Sequence, residues 1–181
     1  MIAIHKNPPT IYPQHASIED IPDQWWVAHT RARHEKALAF DLLGWEVPFF
    51  LPMVEKTIDI RGRRFRSMLP LFPGYLFFGG NDDTRYFALT TSHVANVLPV
   101  PDQERLVHEL VHIESALVAR AKLDPFPYLK KGCLCRVRAG PLRGAEGIVV
   151  RRRGTMRLVL QIEMLGQAVA TEIDPSLVEM V

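Results

Sequence analysis

Cysteine is scarce in this 181-residue sequence, and it contains no long apolar run. The two cysteines, Cys133 and Cys135, cannot build the disulfide framework that holds small secreted domains together. The segment 67–81 is apolar and uncharged, but prolines and glycines interrupt it, and a membrane-spanning helix needs roughly 20 residues. Met1 to His15 lacks the basic and then apolar pattern of a signal peptide. We therefore expect a cytoplasmic location and no membrane partner.

An excess of one charge is also missing, because 22 Lys and Arg stand against 20 Asp and Glu, for a formal net charge of +2. The charge is nevertheless uneven along the chain. Residues 129–181 hold nine basic and five acidic side chains, whereas residues 1–128 hold thirteen and fifteen. Hydrophobic residues make up 48% of the sequence, which is typical of globular chains. The opposite signs of the two parts indicate two folded modules.

The first part of the sequence predicts a mixture of strands and helices. Its proline-rich start, 1–22, predicts an extended, weakly ordered lead-in outside the fold. Trp25 to His29 is aromatic and β-branched, as strands are, and apolar residues at helical spacing follow until Gly44. The other predicted elements are an interrupted edge strand in 47–60, a hairpin turning at 61–64, a strand at 75–78 after a Pro-Gly turn, and a short helix capped at 81–83.

The second part contains the clearest periodicity. After Pro101-Asp102, an apolar stripe at helical spacing predicts a helix, formed by Leu106, Leu110, Ile113 and Leu117. Two prolines then mark 121–128 as a linker. Beyond it the period changes to two, and five short strands are predicted at 133–138, 147–150, 157–164, 168–173 and 177–181. Five strands in so short a segment predict a small closed or nearly closed barrel.

The sequence His108-Glu109-Leu110-Val111-His112 has the H-E-x-x-H pattern of zinc proteases. At about 100° per residue, both histidines fall opposite the apolar stripe, so we expect them to face solvent. The extended pattern fails because Ser115 stands where its glycine would be, and Asp124, the nearest later carboxylate, lies in the predicted linker. A zinc metalloprotease is therefore retained only as a remote alternative, and we predict no metal site.

The remaining motifs predict no enzyme. Cys133 and Cys135 offer only two sulfur ligands, without the second cysteine pair of a structural zinc site, so we interpret them as core residues. The sequence has no G-x-S-x-G elbow, phosphate-binding Gly-Lys loop or G-x-G-x-x-G pattern. We therefore predict no catalytic residue and no cofactor.

Two clusters of basic side chains are candidates for nucleic-acid binding. One lies before and at the start of the first helix and the other at the predicted hairpin turn; their residues are Arg31, Arg33, His34 and Lys36, and Arg61, Arg63 and Arg64. Clustered arginines contact phosphates with little dependence on base sequence. A solvated surface accounts for both clusters equally well.

The aromatic residues suggest a surface that binds another protein. Strand alternation puts Trp25 and Trp26 on opposite faces, so both are buried only if both faces of their sheet are covered. Phe72, on a proline-locked turn, and Tyr75 are further candidates for an apolar patch. A plain core role is the alternative for all four.

Taken together, Trp25 to Val181 resembles the NusG family of transcription elongation factors. The stretches that carry the resemblance are Trp25-Trp26, His34-Glu35-Lys36, and Arg61 to Tyr75 with its ending Pro70-Leu71-Phe72-Pro73-Gly74-Tyr75-Leu76-Phe77. The segments 132–137 and 140–149 resemble the KOW motif through its turn residues Gly140, Pro141, Gly144 and Gly147. Two motifs in the expected order make the resemblance specific.

The resemblance implies an α+β protein. An amino-terminal α/β sandwich, an antiparallel sheet flanked by helices, would occupy 23–120, and a linker at 121–128 would join it to an SH3-like β-barrel, the KOW domain, at 129–181. It further implies a monomer that binds the clamp helices of RNA polymerase and suppresses pausing or termination. The implied polymerase-binding residues are Trp26, His29, Phe72, Pro73, Tyr75, Val94 and Val97, and the two basic clusters would face the non-template DNA.

Two departures from the general factor indicate a specialised, RfaH-like paralogue acting on particular operons. The segment 91–98 lacks the Gly-Phe-Val-Gly type of ending, and Leu165-Gly166-Gln167 replaces Phe-Gly-Arg in the region that contacts a ribosomal protein or the Rho factor. Those two partners therefore stay open. A KOW-type module that binds RNA or the ribosome without polymerase is the alternative, and it would use Lys130, Lys131, Arg143 and Arg151 to Arg153.

Overall fold

The computed structural model describes residues 7–21 and 24–181, and it divides the chain into two compact units. The first unit ends at Gln103 and the second covers Glu104–Val181. Both combine helices with antiparallel strands, so the protein has the mixed α/β character that was predicted. Among the described residues, no helix is long and apolar enough to cross a membrane.

The first unit is built on a five-stranded sheet in the order β1-β3-β6-β2-β7. Its strands are β1 (Ile11–Tyr12), β2 (Trp25–Thr30), β3 (Phe49–Phe50), β6 (Tyr75–Gly79) and β7 (Val94–Pro99). All neighbouring pairs are antiparallel, and β2 lies between β6 and β7. The strand predicted at 25–29 is confirmed as a central strand of this sheet.

Two helices cover one face of the sheet. They are α1 (Glu35–Gly44) and α2 (Asp82–Thr90), both predicted, and Asn81 caps α2 by accepting the Thr84 amide at 3.0 Å. Leu38 and Leu42 of α1 share a core with Trp26 and Ala28 of β2. Trp25, on the opposite face, is also buried, so neither tryptophan is free to form a surface on its own.

A long hairpin, β4 (Met53–Ile60) and β5 (Arg63–Pro70), forms its own two-stranded sheet. Arg61 and Gly62 make its turn with φ of 51° and 76°, and Ile60 pairs with Arg63. Two consecutive positive φ angles are typical of the type I′ turn that matches strand twist. The predicted hairpin is confirmed. The interrupted strand predicted in 47–60 is divided at Pro52 between β3 and β4, because proline cannot supply a ladder amide.

The lead-in expected at 1–22 is partly wrong, because 7–21 takes part in the fold. β1 pairs with β3, the Leu51 amide donates to the Thr10 carbonyl, and Ile18 is completely buried on a 3-10 turn capped by Ser17. The prolines of this segment lie outside β1, and burial of Ile18 and Ile21 stabilises the packing of the segment. Residues 1–6 and 22 of the expected lead-in lie outside the described residues.

The second unit contains the predicted helix, α3 (Gln103–Val118), except for its first residue, and a six-stranded sheet in the order β13-β9-β10-β11-β12-β8. Leu106, Leu110 and Ile113 of α3 are buried, as the stripe predicted. The strands are β8 (Asp124–Phe126), β9 (Leu134–Val137), β10 (Glu146–Arg152), β11 (Thr155–Ile162), β12 (Gln167–Glu172) and β13 (Val178–Met180). All five predicted strands are present.

Two features of this unit differ from expectation. Asp124–Phe126, inside the segment predicted as a linker, forms β8 and pairs with β12, because β12 offers an unpaired edge. The sheet is antiparallel throughout, but within 24–181 no pairing joins its first strand to its last, so closure into a barrel is not established.

Candidate functional site

An aromatic pair lies where β2 ends and β6 begins. The rings of His29 and Tyr75 stack with centroids 5.2 Å apart and planes 25° apart, and the two residues are direct cross-strand partners. His29 and the neighbouring Pro73 are exposed, while Tyr75 is half-buried. We define His29, Pro73 and Tyr75 as the aromatic patch. It is the accessible part of the predicted polymerase-binding set.

The turn that carries the patch is held rigidly. Glu35, at the start of α1, is buried and accepts the Gly74 amide at 2.7 Å, and the Gly74 carbonyl accepts the Thr30 amide at 2.8 Å. Gly74 has φ of 86°, a conformation that side-chain-bearing residues rarely adopt. The patch therefore has a preorganised backbone, and its support by Glu35 is not predictable from the sequence, because Glu35 and Gly74 are 39 residues apart.

The other predicted polymerase-binding residues are interior. Phe72 is 1% exposed and packs edge-on against Phe77 at 6.3 Å. Trp26 donates its indole N–H to the Gly80 carbonyl at 3.0 Å, and the Arg85 guanidinium lies 5.4 Å from the centre of its ring. Val94 and Val97 belong to the same core as Trp26. The expected surface formed by all seven residues is therefore not present as one exposed patch, because alternation directs Trp26, Val94 and Val97 into the helix-covered face.

The hairpin has two unlike faces. One face has basic but no acidic residues. Cross-strand pairing places on it Val54, Lys56, Ile58, Ile60, Arg63, Phe65, Ser67 and Leu69. We call it the basic-apolar face, and its Ile60 and Phe65 are 37% and 39% exposed. On the other face Arg64 pairs with Asp59, and Arg66 lies 3.6 Å from Glu55. The predicted arginines are all exposed, but Arg61 lies in the turn, Arg63 on the basic-apolar face and Arg64 on the other face.

The cluster at the start of α1 is less uniform than expected. Arg31 and Arg33 are exposed, whereas His34 contacts His93 through their Nδ1 atoms at 2.8 Å. The Lys36 ammonium donates to Asn7 Oδ1 and to the Met68 carbonyl, both at 2.6 Å. Burial lowers the pKa of Lys36, opposed by the charge of Glu35. Lys36 is therefore engaged within the fold rather than presented to a phosphate.

Lys36→Met is expected to lower the free energy of unfolding by about 1 kcal/mol, because it removes charge-assisted hydrogen bonds at a partly exposed site while keeping the aliphatic stem. Chemical denaturation of the full chain measures this. Arg31→Met is the matched control and should leave stability within about 0.5 kcal/mol. Equal losses in the two variants would contradict the structural role of Lys36.

The KOW-like turn joins β9 to β10. Gly140 and Gly144 have φ of 84° and 88°, and the Gly144 amide donates to the Val137 carbonyl at 2.7 Å. Pro141 is exposed between them. Gly147, on β10, lies so close to β11 that a Cβ atom would come within 2.5 Å of the Val159 carbonyl oxygen. The four glycine and proline positions therefore shape this turn and the strand pair beside it.

Gly147→Ala is expected to destabilise the protein by about 1–2 kcal/mol, because the new methyl group would clash with backbone of the paired strand rather than with a side chain that can rotate away. Gly44→Ala is the control, since nothing lies within 4 Å of its Cβ position. Thermal unfolding of both variants makes the comparison. An unchanged melting temperature for Gly147→Ala would show that the strands separate easily at this point.

The helix carrying the H-E-x-x-H pattern differs from expectation on its polar side. His108 is exposed, but His112 and Glu109 are partly buried, and all three line a cavity of about 390 Å³ with residues of the second unit's sheet. Burial, followed by the charge of His108, lowers the pKa of His112. Burial raises the pKa of Glu109 to about 7. The expectation that this face is simply solvated is therefore wrong, because strands of the same unit cover part of it.

Known proteins provide a comparison for most of the chain. The model of the NusG family, described as transcription termination factor nusG, matches residues 23–120. No curated protein matches the sequence. Among solved structures, one of domain interaction in Thermotoga maritima NusG is 18% identical, with a TM-score of 0.48, and the match covers 87% of this chain and 97% of that one. A crystal structure of the MjSpt4:Spt5 complex is 14% identical, with a TM-score of 0.27, covering 87% of this chain and 96% of the other.

Proposed function

Because the chain belongs to the NusG family, we propose that it is an elongation and antitermination factor that binds the clamp helices of RNA polymerase. The observation that carries this proposal is the family match over 23–120, more than half of the chain. Members of this family are transcription factors rather than enzymes. We further propose that the protein acts in the cytoplasm as a monomer. As an RfaH-like paralogue, it would act on particular operons.

The aromatic patch is the part of the first unit best suited to contact polymerase. Its exposed His29 ring, stacked on Tyr75 beside Pro73, offers apolar area on a rigid turn at low entropic cost. Phe72 and Trp26 would support the patch and its sheet from the interior. Association is binding rather than catalysis, so it would act by favouring one state of the polymerase over another.

Two further surfaces would complete the interaction. The basic-apolar face of the hairpin, with Arg63 beside the exposed Phe65, can combine a phosphate contact with stacking on a base, so we assign it to the non-template DNA strand. Exposed Arg31 and Arg33 would add to the same electrostatic field. For the second unit we propose a KOW domain whose sheet curls into an SH3-like barrel and recruits another partner, with Rho and a ribosomal protein as the two to test.

Polymerase retention tests the main proposal. Immobilised full-length protein should retain purified RNA polymerase, and adding it to transcribing complexes should shorten pauses or reduce termination. Absence of retention under low-salt conditions would contradict the proposal.

The alternative is a module that binds RNA or the ribosome without polymerase. The exposure of Lys130, Lys131, Arg143 and Arg151 to Arg153 in the second unit favours it. Tight binding of structured RNA by the full chain, combined with no polymerase retention, would select this alternative.

A further inference from the structure

Three possible metal ligands converge in the second unit. His108 and His112 lie one turn apart on α3, and Glu146 begins β10. One ligand atom from each lies within 4.8 Å of the other two. Glu146 was not foreseen, since it comes 34 residues after His112 and only folding brings it to the helix.

Two of the three separations between ligand atoms match those around a tetrahedral ion, and the third is no more than 4.8 Å. His108 Nε2 lies 3.3 Å from His112 Nε2 and 3.5 Å from Glu146 Oε2. Bonds of about 2.0–2.1 Å from zinc to nitrogen or oxygen place two tetrahedral ligands roughly 3.3 Å apart. An ion can therefore bridge these atoms with small side-chain movements.

The surroundings orient the carboxylate for this role. Arg136 donates to Glu146 Oε1 from Nε at 2.7 Å and from a terminal nitrogen at 2.6 Å. The other carboxylate oxygen, Oε2, is the one directed at His108. Such outer partners fix ligand geometry in metal sites.

The backbone amide of Glu146 also lies 3.4 Å from His112 Nδ1. If His112 coordinates the ion through Nε2, its ring proton must lie on Nδ1. Nδ1 then cannot accept the Glu146 amide, so this long contact would be lost.

Glu109, the middle residue of the pattern, is already engaged elsewhere. Its carboxylate accepts the Glu163 amide at 3.2 and 3.3 Å and lies 3.5 Å from Arg105. A general base must be free to reach a bound water, so this arrangement favours metal binding without hydrolysis.

We propose that His108, His112 and Glu146 form a binding site for a divalent transition metal ion, zinc in particular, which fastens α3 to β10. Two imidazoles and one carboxylate suit zinc, and three protein ligands leave a fourth position for water. The exposed His108 ring gives the ion a path from solvent, and the cavity lined by the same residues has room for the fourth ligand.

Titration of untagged, chelator-treated full-length protein tests the site. Calorimetry with zinc chloride should give one equivalent bound with a dissociation constant in the micromolar range or tighter, and cobalt(II) should give the visible absorption of tetrahedral coordination. Zinc at 100 times its dissociation constant should also raise the free energy of unfolding by about 2.7 kcal/mol. Less than a fifth of an equivalent bound, or an octahedral cobalt spectrum with no change in melting temperature, would overturn the proposal.

Variants separate this site from adventitious binding. His108→Ala should weaken zinc binding by about 100-fold and Glu146→Gln by about tenfold, the range found when even outer partners are lost. His108 is 59% exposed, so its replacement should leave the fold intact. His15→Ala, at an exposed position, is the matched control and should bind zinc unchanged. Unaltered zinc affinity in His108→Ala would refute the assignment of the metal site. Polymerase retention, measured in parallel without zinc, tests the proposed function separately.

Discussion

Tyr75→Ala is expected to weaken binding of RNA polymerase by the full-length protein about 30-fold. Tyr75 supplies the larger ring of the aromatic patch, and its stacking on His29 holds both rings in the geometry that a partner would meet. Central aromatic residues of interfaces commonly contribute 2 kcal/mol or more, and 2 kcal/mol corresponds to about 30-fold in affinity. Biolayer interferometry with immobilised protein and purified polymerase would measure the dissociation constant.

Tyr86→Ala is the matched control for this experiment. Tyr86 lies on α2 and is 70% exposed. Its replacement therefore removes the same phenol ring at a site that has no proposed role in binding. The control should bind polymerase as the unmodified protein does, and both variants should keep its melting temperature within a few degrees. Equal binding by Tyr75→Ala and Tyr86→Ala would reject the aromatic patch as the polymerase surface while leaving the family assignment intact.

The Lys56→Glu/Arg63→Glu double variant is expected to weaken binding of single-stranded DNA about 100-fold at low salt. Both residues lie on the basic-apolar face of the hairpin, which has no acidic side chain to neutralise them. Each charge-assisted contact with a phosphate contributes on the order of 1.5 kcal/mol, and the loss of two accounts for this change. The slope of log affinity against log salt should also fall by about 1.4, since each lost phosphate contact removes about 0.7.

Arg64→Glu/Arg66→Glu changes the net charge by the same amount on the opposite face. Those arginines already face Asp59 and Glu55, so their reversal should reduce DNA affinity about tenfold or less, through the long-range field alone. Fluorescence anisotropy with a labelled oligonucleotide compares the two. The face assignment fails if the double variants lose affinity equally.

The secondary structure was predictable wherever the signal was local. The apolar stripe of α3 repeats at helical spacing, Asn81 caps α2 with its own side chain, and Arg61-Gly62 can adopt the positive φ angles of a tight turn. Each of these depends on residues a few positions apart. The prediction of a lead-in outside the fold is partly wrong for the complementary reason, because β1 forms by pairing with β3, which comes much later in the chain.

The functional surfaces were predictable only in part. The aromatic and basic residues of the candidate sites can be read from the sequence, but their exposure cannot. Phe72 and Tyr75 lie three positions apart on the same turn, yet one is 1% exposed and packs on Phe77 while the other is accessible. The arginines of the hairpin are adjacent in sequence, yet cross-strand register gives only Arg63 a face without acids.

The uneven charge and the change of period along the sequence by themselves indicated two modules, and the motifs in 25–77 and 132–149 carried the resemblance to the NusG family. Tertiary structure alone decided which predicted residues reach solvent, that Lys36 serves the fold, and that Glu146 meets two histidines a helical turn apart. The physical reason is that periodicity records which face a residue occupies, whereas burial and ligand geometry depend on what the chain brings against that face from far away in sequence.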